Sequence, residues 1–428
     1  MASKSNLSVV IDIGTSKIVA IAGLKNEQGK VEVLGVAKII SKGIKRGVVF
    51  NIDEAAKCIK QVLTMLESQL DEEILLVNIA YSGQFMKTID FHNSKDISDK
   101  GLVSAFDVDQ LYNKAKNVEF EQEYKIIQVI PTSFIIDNET TVSNPAGTTG
   151  REIIANYKLV VIPEIYITNL QLVFDKIGVE LGEITLASLA VSEAVITEDE
   201  KEMGAIVLDV GASITNLAIY YDNMLVHTAV IPFGGSVVTK DIKEGCSILL
   251  KWAEQLKVRY GCALGDSADS QKVVTIPVHR NLEAKEISFR SLAYIIQARL
   301  EEIMDSVNAE IEKSGVAGQL GGGIVLTGGT SNLDNFIPLV QFRTGMDARI
   351  ANLAFNPKCD KKVTHDYASY VALGLLNMVV NKLAIPIKET RIKSGKKGDG
   401  FKMPAIFGKA KQVALDLFND DNEDLAMN

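Results

Sequence analysis

The sequence has few of the residues that bind metals or form disulfides. Its four cysteines lie far apart with no C-x-x-C pair, and it contains only four histidines. These counts argue against a zinc site and against a disulfide framework. The sequence also lacks an uninterrupted apolar run of about 18 residues, the length that a membrane-spanning helix requires. The polar residues 1–6 lead directly into a strand-like segment, so we expect no secretory signal.

What remains is the composition of a large, acidic, soluble protein. The chain has 428 residues, a formal net charge of −9, 47% hydrophobic residues and 23% charged residues. This length predicts several domains, and this apolar content excludes a mostly disordered chain. We therefore expect a cytoplasmic protein, and the negative charge argues against nucleic acid as a partner.

One local pattern occurs twice along the chain. Its first copy has apolar, strand-like segments at residues 7–13, 18–24 and 31–39, and its second copy has them at 205–209, 214–221 and 224–231. Such segments around glycine-containing turns predict a β-hairpin followed by another strand. The copies are offset by 197 residues, which aligns Asp12 with Asp209, Gly14 with Gly211 and Ser16 with Ser213. This separation indicates a duplicated domain, because solenoid repeats are about 20–50 residues long.

The segments around the two copies differ in character. Residues 53–70, with Asp53 as the predicted N-cap, and residues 289–314 have patterns that predict helices. Residues 84–161 alternate strand-like pieces with one helical piece, as in a small inserted α/β domain. From Pro386 onward the chain is poor in apolar residues and carries Gly and Lys, which predicts a flexible segment.

The repeated turns have the chemistry of a phosphate site. A turn that contains glycine presents consecutive backbone N–H groups, which bind phosphate oxygens. Thr15, Ser16 and Lys17 add donors to the first turn. Asp12 and Asp209 each precede a turn, where a carboxylate could hold the waters of a Mg²⁺ ion. The alternative is that Asp-x-Gly only serves the turn itself, but the duplication favours a shared ligand.

Two further elements could complete a nucleotide site. Gly328 and Gly329 end an apolar segment, where bare backbone suits a purine or a ribose; the alternative is a tight strand–helix turn. Glu254 and Lys257 lie three residues apart on a predicted helix, so they share one face and could reach ribose hydroxyls. The alternative for this pair is an ordinary surface ion pair.

Taken in order, these motifs resemble those of the actin-like ATPase superfamily and, more narrowly, of the FtsA family of bacterial cell-division proteins. The matching segments are Asp12–Lys17, Asn144-Pro-Ala-Gly147, 197–204, Ile231-Pro-Phe-Gly-Gly235 through 242, Ala253-Glu254-x-x-Lys257 through 263, and Ile324-Val-Leu-Thr-Gly328-Gly329. The resemblance runs from Val9 to about Leu376.

This resemblance implies an α/β, actin-like ATPase fold with two duplicated lobes around a nucleotide cleft and a small α/β subdomain inserted in the first lobe. The implied division is subdomain 1A at 1–83 and 162–198, inserted subdomain 1C at 84–161, subdomain 2A at 199–244 and 319–385, and subdomain 2B at 245–318. A basic flexible linker (386–403), an amphipathic membrane-targeting helix (404–418) and an acidic tail (419–428) would follow.

The resemblance also implies that the chain binds ATP with Mg²⁺, which Asp12 and Asp209 would hold through water molecules. The implied nucleotide contacts are Asp12, Gly14, Thr15, Ser16, Lys17, Asp209, Gly211, Ser213, Gly235, Glu254, Lys257, Gly328 and Gly329.

The candidate catalytic residue is Glu193, which lies roughly where other actin-like proteins carry a water-positioning group; the alternative is a solvated helix residue. The second turn has Ala212 and Asn216 where relatives usually have glycine and an acidic residue. We therefore expect weaker ATP binding and weak or negligible ATPase activity.

The C-terminal segment has the pattern of a membrane anchor. Residues 382–411 contain nine basic and two acidic residues, and an apolar arc follows on the helical wheel of residues 404–418. The predicted membrane contacts are Lys396, Lys397, Lys402, Ile406, Phe407, Val413, Leu417 and Phe418. Composition alone leaves open whether this helix lies on anionic lipid or packs on protein, and the resemblance to FtsA favours lipid.

The implied partners are the C-terminal tail of the tubulin homologue FtsZ, further copies of this chain in filaments, other division proteins and an anionic membrane, with no nucleic acid. The implied location is the cytoplasmic face of the inner membrane at the division site. The FtsZ tail would dock on residues 245–318, where we nominate Arg299, Glu302 and Asn308. The alternatives are a PilM-like pilus-assembly protein and, with less support, a small-molecule kinase of the same fold.

Overall fold

Two five-stranded sheets with the same strand order form the centres of two lobes. The structure is a computed structural model that describes residues 7–97, 101–120, 123–276 and 284–383. Within these ranges no helix is both long enough and apolar enough to cross a bilayer. The predicted linker 386–403, amphipathic helix 404–418 and acidic tail 419–428 lie outside the described residues.

The first lobe is built on a sheet whose alternate residues face two layers of helices. Its strands are β1 (Ser8–Ile13), β2 (Lys17–Lys25), β3 (Val31–Ile40), β6 (Leu76–Tyr81) and β11 (Glu180–Leu186), in the order β11-β6-β1-β2-β3. One face packs on α1 (Ile52–Leu70) and α3 (Glu164–Ile177), and the other on α4 (Ala187–Val195) and α11 (Tyr370–Leu383). Because both faces are covered, β1 reads as a continuous apolar run. β4 (Ile44–Lys45) and β5 (Val48–Val49) form a separate small hairpin.

A smaller antiparallel sheet interrupts the first lobe between β6 and α3. Its strands are β7 (Lys87–Asp96), β8 (Tyr124–Ile136), β9 (Thr140–Val142) and β10 (Glu152–Pro163), in the order β7-β10-β8-β9. The helix α2 (Ala105–Lys116) covers one face of this sheet with Leu111 and Ala115. Ser104 caps this helix in a reciprocal arrangement with Asp107.

The second lobe repeats the first sheet strand by strand. It contains β12 (Ala205–Val210), β13 (Thr215–Tyr221), β14 (Met224–Ile231), β17 (Gly323–Thr327) and β18 (Ala348–Ile350), in the order β14-β13-β12-β17-β18. The register repeats too, because Asp12 faces Val19 in the first hairpin and Asp209 faces Asn216 in the second. The structure thus shows the duplication that the repeated motif predicts.

Helices surround the second sheet and include the longest helix of the described residues. They are α5 (Glu198–Met203), α6 (Gly235–Gly245), α7 (Leu250–Tyr260), α8 (Phe289–Lys313) and α9 (Phe336–Thr344), with a short hairpin of β15 (Val273–Ile276) and β16 (Lys285–Ser288). The core under them contains Leu208, Leu256, Ile296 and Leu326. The short helix α10 (Lys361–Thr364) instead packs Val363 against the first-lobe cluster.

Two predicted helices are confirmed, with one change at a helix start. The helix predicted over 53–70 is α1, and the helix predicted over 289–314 is α8. The N-cap of α1 is Asn51 rather than Asp53, because Asn51 has extended backbone dihedrals and its side chain accepts a hydrogen bond from the backbone N–H of Glu54. Asp53 lies inside the first turn, where a carboxylate is still favourable.

The helix α11 follows the second lobe in sequence but packs in the first. It contacts α4, β1 and β2. Its approach to α4 is close, because a Cβ atom built on Gly374 would lie 1.7 Å from the carbonyl oxygen of Ala190. Glycine is therefore required at this crossing. The same apolar cluster includes Val207 and Val325, so it joins the two lobes beneath the cleft.

Candidate functional site

The two repeated turns line one cavity between the lobes. This cavity has a volume of about 430 Å³, which is in the range of small-molecule sites. It brings together every residue that the sequence predicts to contact nucleotide: Asp12, Gly14, Thr15, Ser16, Lys17, Asp209, Gly211, Ser213, Gly235, Glu254, Lys257, Gly328 and Gly329. Residues from distant parts of the chain thus form a single site.

The first turn is held in place by contacts of its backbone and its threonine. A Cβ atom on Gly14 would lie 2.7 Å from the carbonyl oxygen of Lys17, so the turn needs glycine here. The hydroxyl of Thr15 accepts a hydrogen bond from the backbone N–H of Gly47 at 3.2 Å. Ser16 is exposed in the cavity wall. The tip of the turn is therefore the part left accessible to a ligand.

The second turn is connected to the start of α6. The backbone N–H groups of Gly235 and Ser236 donate to the carbonyl oxygens of Gly211 and Ala212, at 3.0 and 2.6 Å. The hydroxyls of Ser213 and Ser236 are 3.0 Å apart. These bonds fix the turn against the helix and keep Gly211 and Ser213 at the cavity surface.

Two carboxylates dominate the electrostatics of the cavity. Removal from water, followed by the charge of Asp209, raises the pKa of Asp12 to about 7, and Lys17 partly opposes the shift. Burial also raises the pKa of Asp209, against a hydrogen bond from Asn216 and the charge of Lys17. The ammonium group of Lys17 therefore does not compensate the charge of both carboxylates.

This pair of carboxylates fits a divalent cation that is bound together with phosphate. The described residues contain no cluster of three or more His, Cys, Asp or Glu side chains that could hold a metal ion on its own. Mg²⁺ commonly takes one or two carboxylates and completes its shell with phosphate oxygens and water. Asp12 and Asp209 would hold the ion, and its charge would neutralise part of the phosphate charge.

Gly328 packs directly against the carboxylate of Asp209. Its φ angle is +86°, and a Cβ atom would lie 2.4 Å from Asp209 Oδ1 and 2.5 Å from the carbonyl oxygen of Val210. The hydroxyl of Thr330 donates to the carbonyl oxygen of Gly211 at 3.0 Å. The end of β17 thus supports the second turn, and this contact explains the glycine at position 328.

Lys257 and Glu254 form a partly buried ion pair at the cavity edge. Lys257 Nζ donates to the carbonyl oxygen of Gly235 at 2.9 Å, to Thr239 Oγ1 at 2.8 Å and to Glu254 Oε2 at 2.8 Å. All three donors of the ammonium group are used in this way. The Glu254 side chain remains 50% exposed, so its carboxylate is the group of this pair that a ligand can reach.

We expect Lys257→Met to weaken nucleotide binding about tenfold, because it removes the ammonium group that bonds to Gly235, Thr239 and Glu254 and so frees the start of α6. The measurement is the dissociation constant of a fluorescent ATP analogue. The control is Lys251→Met, which changes an exposed lysine on the same helix and should leave that constant unchanged. Equal affinities for both variants would contradict the positioning role of Lys257.

Glu193 is not brought to the cavity. Its carboxylate accepts a hydrogen bond from Asn377 Nδ2 at 2.7 Å and lies 3.8 Å from Lys201 Nζ. The physical reason is its position on α4, because Ala187 at the start of this helix lines the cavity and Glu193 lies six residues further along. This placement does not support the predicted role of Glu193 in positioning water.

The predicted partner residues are in the second lobe and mostly engaged within the chain. Arg299 forms a two-pronged ion pair with Asp241 of α6 and also bonds to Glu302. Asn308 Nδ2 donates to the carbonyl oxygen of Arg343 at 3.0 Å. Glu302 is the most accessible of the three, with 65% of its side chain exposed.

The predicted membrane contacts lie outside the described residues: Lys396, Lys397, Lys402, Ile406, Phe407, Val413, Leu417 and Phe418.

Several cavity residues escaped the sequence analysis. Gly47 and Ser82 come from loops of the first lobe, and Tyr367, Ala368 and Val371 come from the start of α11 and the turn before it. No local motif marks these positions. Asn216 is different, because the sequence analysis names it as a departure from the family pattern, and the hairpin register then places it opposite Asp209.

Comparisons with known proteins agree with this architecture. A family model described as cell division protein FtsA matches residues 206–372, and a model of the SHS2 domain inserted in FtsA matches residues 83–161. The chain is 31% identical to the cell division protein FtsA of Neisseria meningitidis serogroup B over 375 residues, which cover 86% of this chain and 89% of that protein. It is also 31% identical to Escherichia coli K12 FtsA over 347 residues, which cover 79% of this chain and 82% of that protein.

The chain belongs to the FtsA family. The family predicted from the motifs is thereby confirmed, and this is a family of cell-division proteins.

Solved structures show that this FtsA-family chain has the actin-like ATPase fold. A PilM–PilN type IV pilus biogenesis complex aligns with a TM-score of 0.62 at 16% identity, covering 87% of this chain and 98% of that chain. MreB5 of Spiroplasma citri bound to ADP aligns with a TM-score of 0.54 at 14% identity, covering 89% and 100%. At such low identities these likenesses show the fold alone, so they do not favour a PilM-like function over that of FtsA.

Proposed function

We propose that this FtsA-family chain binds ATP with Mg²⁺ in the cavity between its lobes. The observation that carries the proposal is that both copies of the Asp-x-Gly turn line one cavity, together with Gly328 and Glu254. The turns supply backbone N–H groups for phosphate, and Asp12 and Asp209 supply carboxylates for the metal. A related fold in MreB5 of Spiroplasma citri has been solved with ADP and with AMPPNP.

The nucleotide would act mainly as a bound ligand, with slow or negligible turnover. Hydrolysis requires a group that positions or deprotonates the attacking water close to the terminal phosphate. Glu193 bonds to Asn377 and does not line the cavity. Asp12 and Asp209, which do line it, are the groups proposed for the metal.

In cell division, the chain would tether FtsZ polymers to the cytoplasmic face of the inner membrane and associate with copies of itself in filaments. Membership of the FtsA family supports this role. The basic and amphipathic pattern of residues 386–418 supports lipid attachment. The FtsZ tail would dock on residues 245–318, where Glu302 is exposed on α8.

We expect deletion of residues 404–428 to release the protein from anionic liposomes. The deletion removes the amphipathic segment, and with it the apolar face that would enter the headgroup region of the bilayer. The measurement is co-sedimentation of full-length and shortened protein with vesicles, with and without FtsZ and ATP. FtsZ should sediment with vesicles only when the full-length chain is present.

A matched control keeps the length of the chain constant. Phe407→Glu combined with Phe418→Glu should release the protein as the deletion does, whereas Asp421→Asn combined with Glu423→Gln should leave it bound. Vesicle binding by the shortened protein equal to that of the full-length chain would contradict the anchor.

A further inference from the structure

A hydrogen-bonded relay crosses the cavity from one lobe to the other. Ser82 follows β6 of the first lobe, and its hydroxyl donates to Asn216 Oδ1 on β13 of the second lobe. Asn216 Nδ2 in turn donates to Asp209 Oδ2 at 3.0 Å. All three residues line the cavity, and only 5% of Asn216 is exposed.

The chemistry of the relay requires an amide at its centre. An amide side chain accepts through its oxygen and donates through its nitrogen, whereas an ionised carboxylate only accepts. Asn216 can therefore bond to the Ser82 hydroxyl and to the Asp209 carboxylate at the same time. An aspartate at this position would lose the bond to Asp209 and place two negative charges against each other.

We propose that Asn216 is a positioning residue that joins the two lobes and holds the Asp209 carboxylate without adding charge, so that nucleotide binding depends less on Mg²⁺ than it would with a carboxylate at position 216. This inference rests on the proposed binding of ATP in the same cavity. The hydrogen bond from the Asn216 amide supplies part of the stabilisation that a cation would otherwise provide to Asp209. A third carboxylate beside Asp12 and Asp209 would make that cation necessary.

The test is the variant Asn216→Asp in the full-length protein, with a fluorescent ATP analogue as the probe. Its dissociation constant is measured in excess Mg²⁺ and again in EDTA. We expect removal of Mg²⁺ to raise the constant of Asn216→Asp by about tenfold more than it raises the wild-type constant. An equal ratio of the constants in EDTA and in Mg²⁺ for the two proteins would overturn the inference.

The control adds the same charge elsewhere in the cavity. Asn332→Asp changes an exposed cavity residue that bonds only weakly to the carbonyl oxygen of Gly329, at 3.3 Å. The ratio of its dissociation constants in EDTA and in Mg²⁺ should equal that of the wild type. If Asn332→Asp shows the same rise as Asn216→Asp, added charge alone explains the effect, and the inference fails.

A second readout needs neither nucleotide nor metal. Ser82→Ala removes the contact of the first lobe with the relay but leaves the bond between Asn216 and Asp209. We expect its melting temperature to fall by about 1–2 °C. An unchanged melting temperature for Ser82→Ala would overturn the connection between the lobes.

The outcomes for this inference and for the proposed function are distinct. If no protein binds the ATP analogue in either buffer, the proposed nucleotide site fails, and the Mg²⁺ part of the inference fails with it. If the wild type binds and the ratios are equal, only the inference fails. If Asn216→Asp does not fold, Ser82→Ala still decides whether the relay joins the lobes.

Discussion

Gly328→Ala should weaken ATP binding by about a hundredfold or more. The φ angle of Gly328 is +86°, a conformation that costs a non-glycine residue about 1–3 kcal/mol. The added methyl group would also lie 2.4 Å from Asp209 Oδ1, so the carboxylate and the second turn must move. Isothermal titration calorimetry with ATP and Mg²⁺ measures the loss directly.

The control for this variant separates backbone strain from displacement of the site. Gly345 also has a positive φ angle, +69°, but no atom lies within 4 Å of a Cβ built there. It is exposed at the end of α9, away from the cavity. Gly345→Ala should therefore lower the melting temperature slightly and leave ATP binding unchanged. Near-normal ATP affinity in Gly328→Ala would contradict the role of Gly328 at the site.

Asp12→Asn should stabilise the protein at pH 8 when nucleotide and metal are absent. The folded protein has an Asp12 pKa of about 7, above the ordinary value of 3.8. Between these values the native state keeps a proton that the unfolded chain releases, so the free energy of unfolding falls as pH rises through this interval. At pH 8 the variant avoids this loss, which amounts to about 2–4 kcal/mol.

Urea unfolding at several pH values between 4 and 8 checks this prediction. The free energy of unfolding of the wild type should fall as pH rises from 3.8 to about 7, and that of Asp12→Asn should fall less steeply. Asp175→Asn, which changes an exposed carboxylate on α3, should keep the wild-type slope. Parallel pH profiles for the wild type and Asp12→Asn would show that Asp12 is not the group responsible. Added Mg²⁺ and ATP should reverse the order of stability, because the variant lacks a proposed metal carboxylate.

The sequence predicts the two hairpins and the contents of the cavity because the duplication repeats both. An offset of 197 residues aligns Asp12 with Asp209, and the strand registers carry the same offset. Continuous apolar runs locate β1 and β12 well, because both strands are buried on two faces. A local sequence pattern is therefore sufficient to predict the structure where the fold itself repeats.

Pairings between distant residues could not be predicted in this way. Ser82 and Asn216 are 134 positions apart, and nothing in either local segment indicates the other. Lys257 has the right spacing to Glu254, but the sequence does not show that Gly235 and Thr239 use its remaining donors. Glu193 is placed by analogy with other actin-like proteins, and its local segment does not show that its carboxylate bonds to Asn377, 184 positions away.

The return of α11 to the first lobe has a consequence for how the protein is made. Synthesis releases the N-terminal sheet first, but its partner helix, with Leu373 and Leu376, emerges only after the whole second lobe. Until then the groove beside α4 stays open, and its apolar lining is available to chaperones. We therefore expect chaperones to bind strongly to nascent chains that end before residue 370. Completion of this last helix should then release the chain from the chaperone.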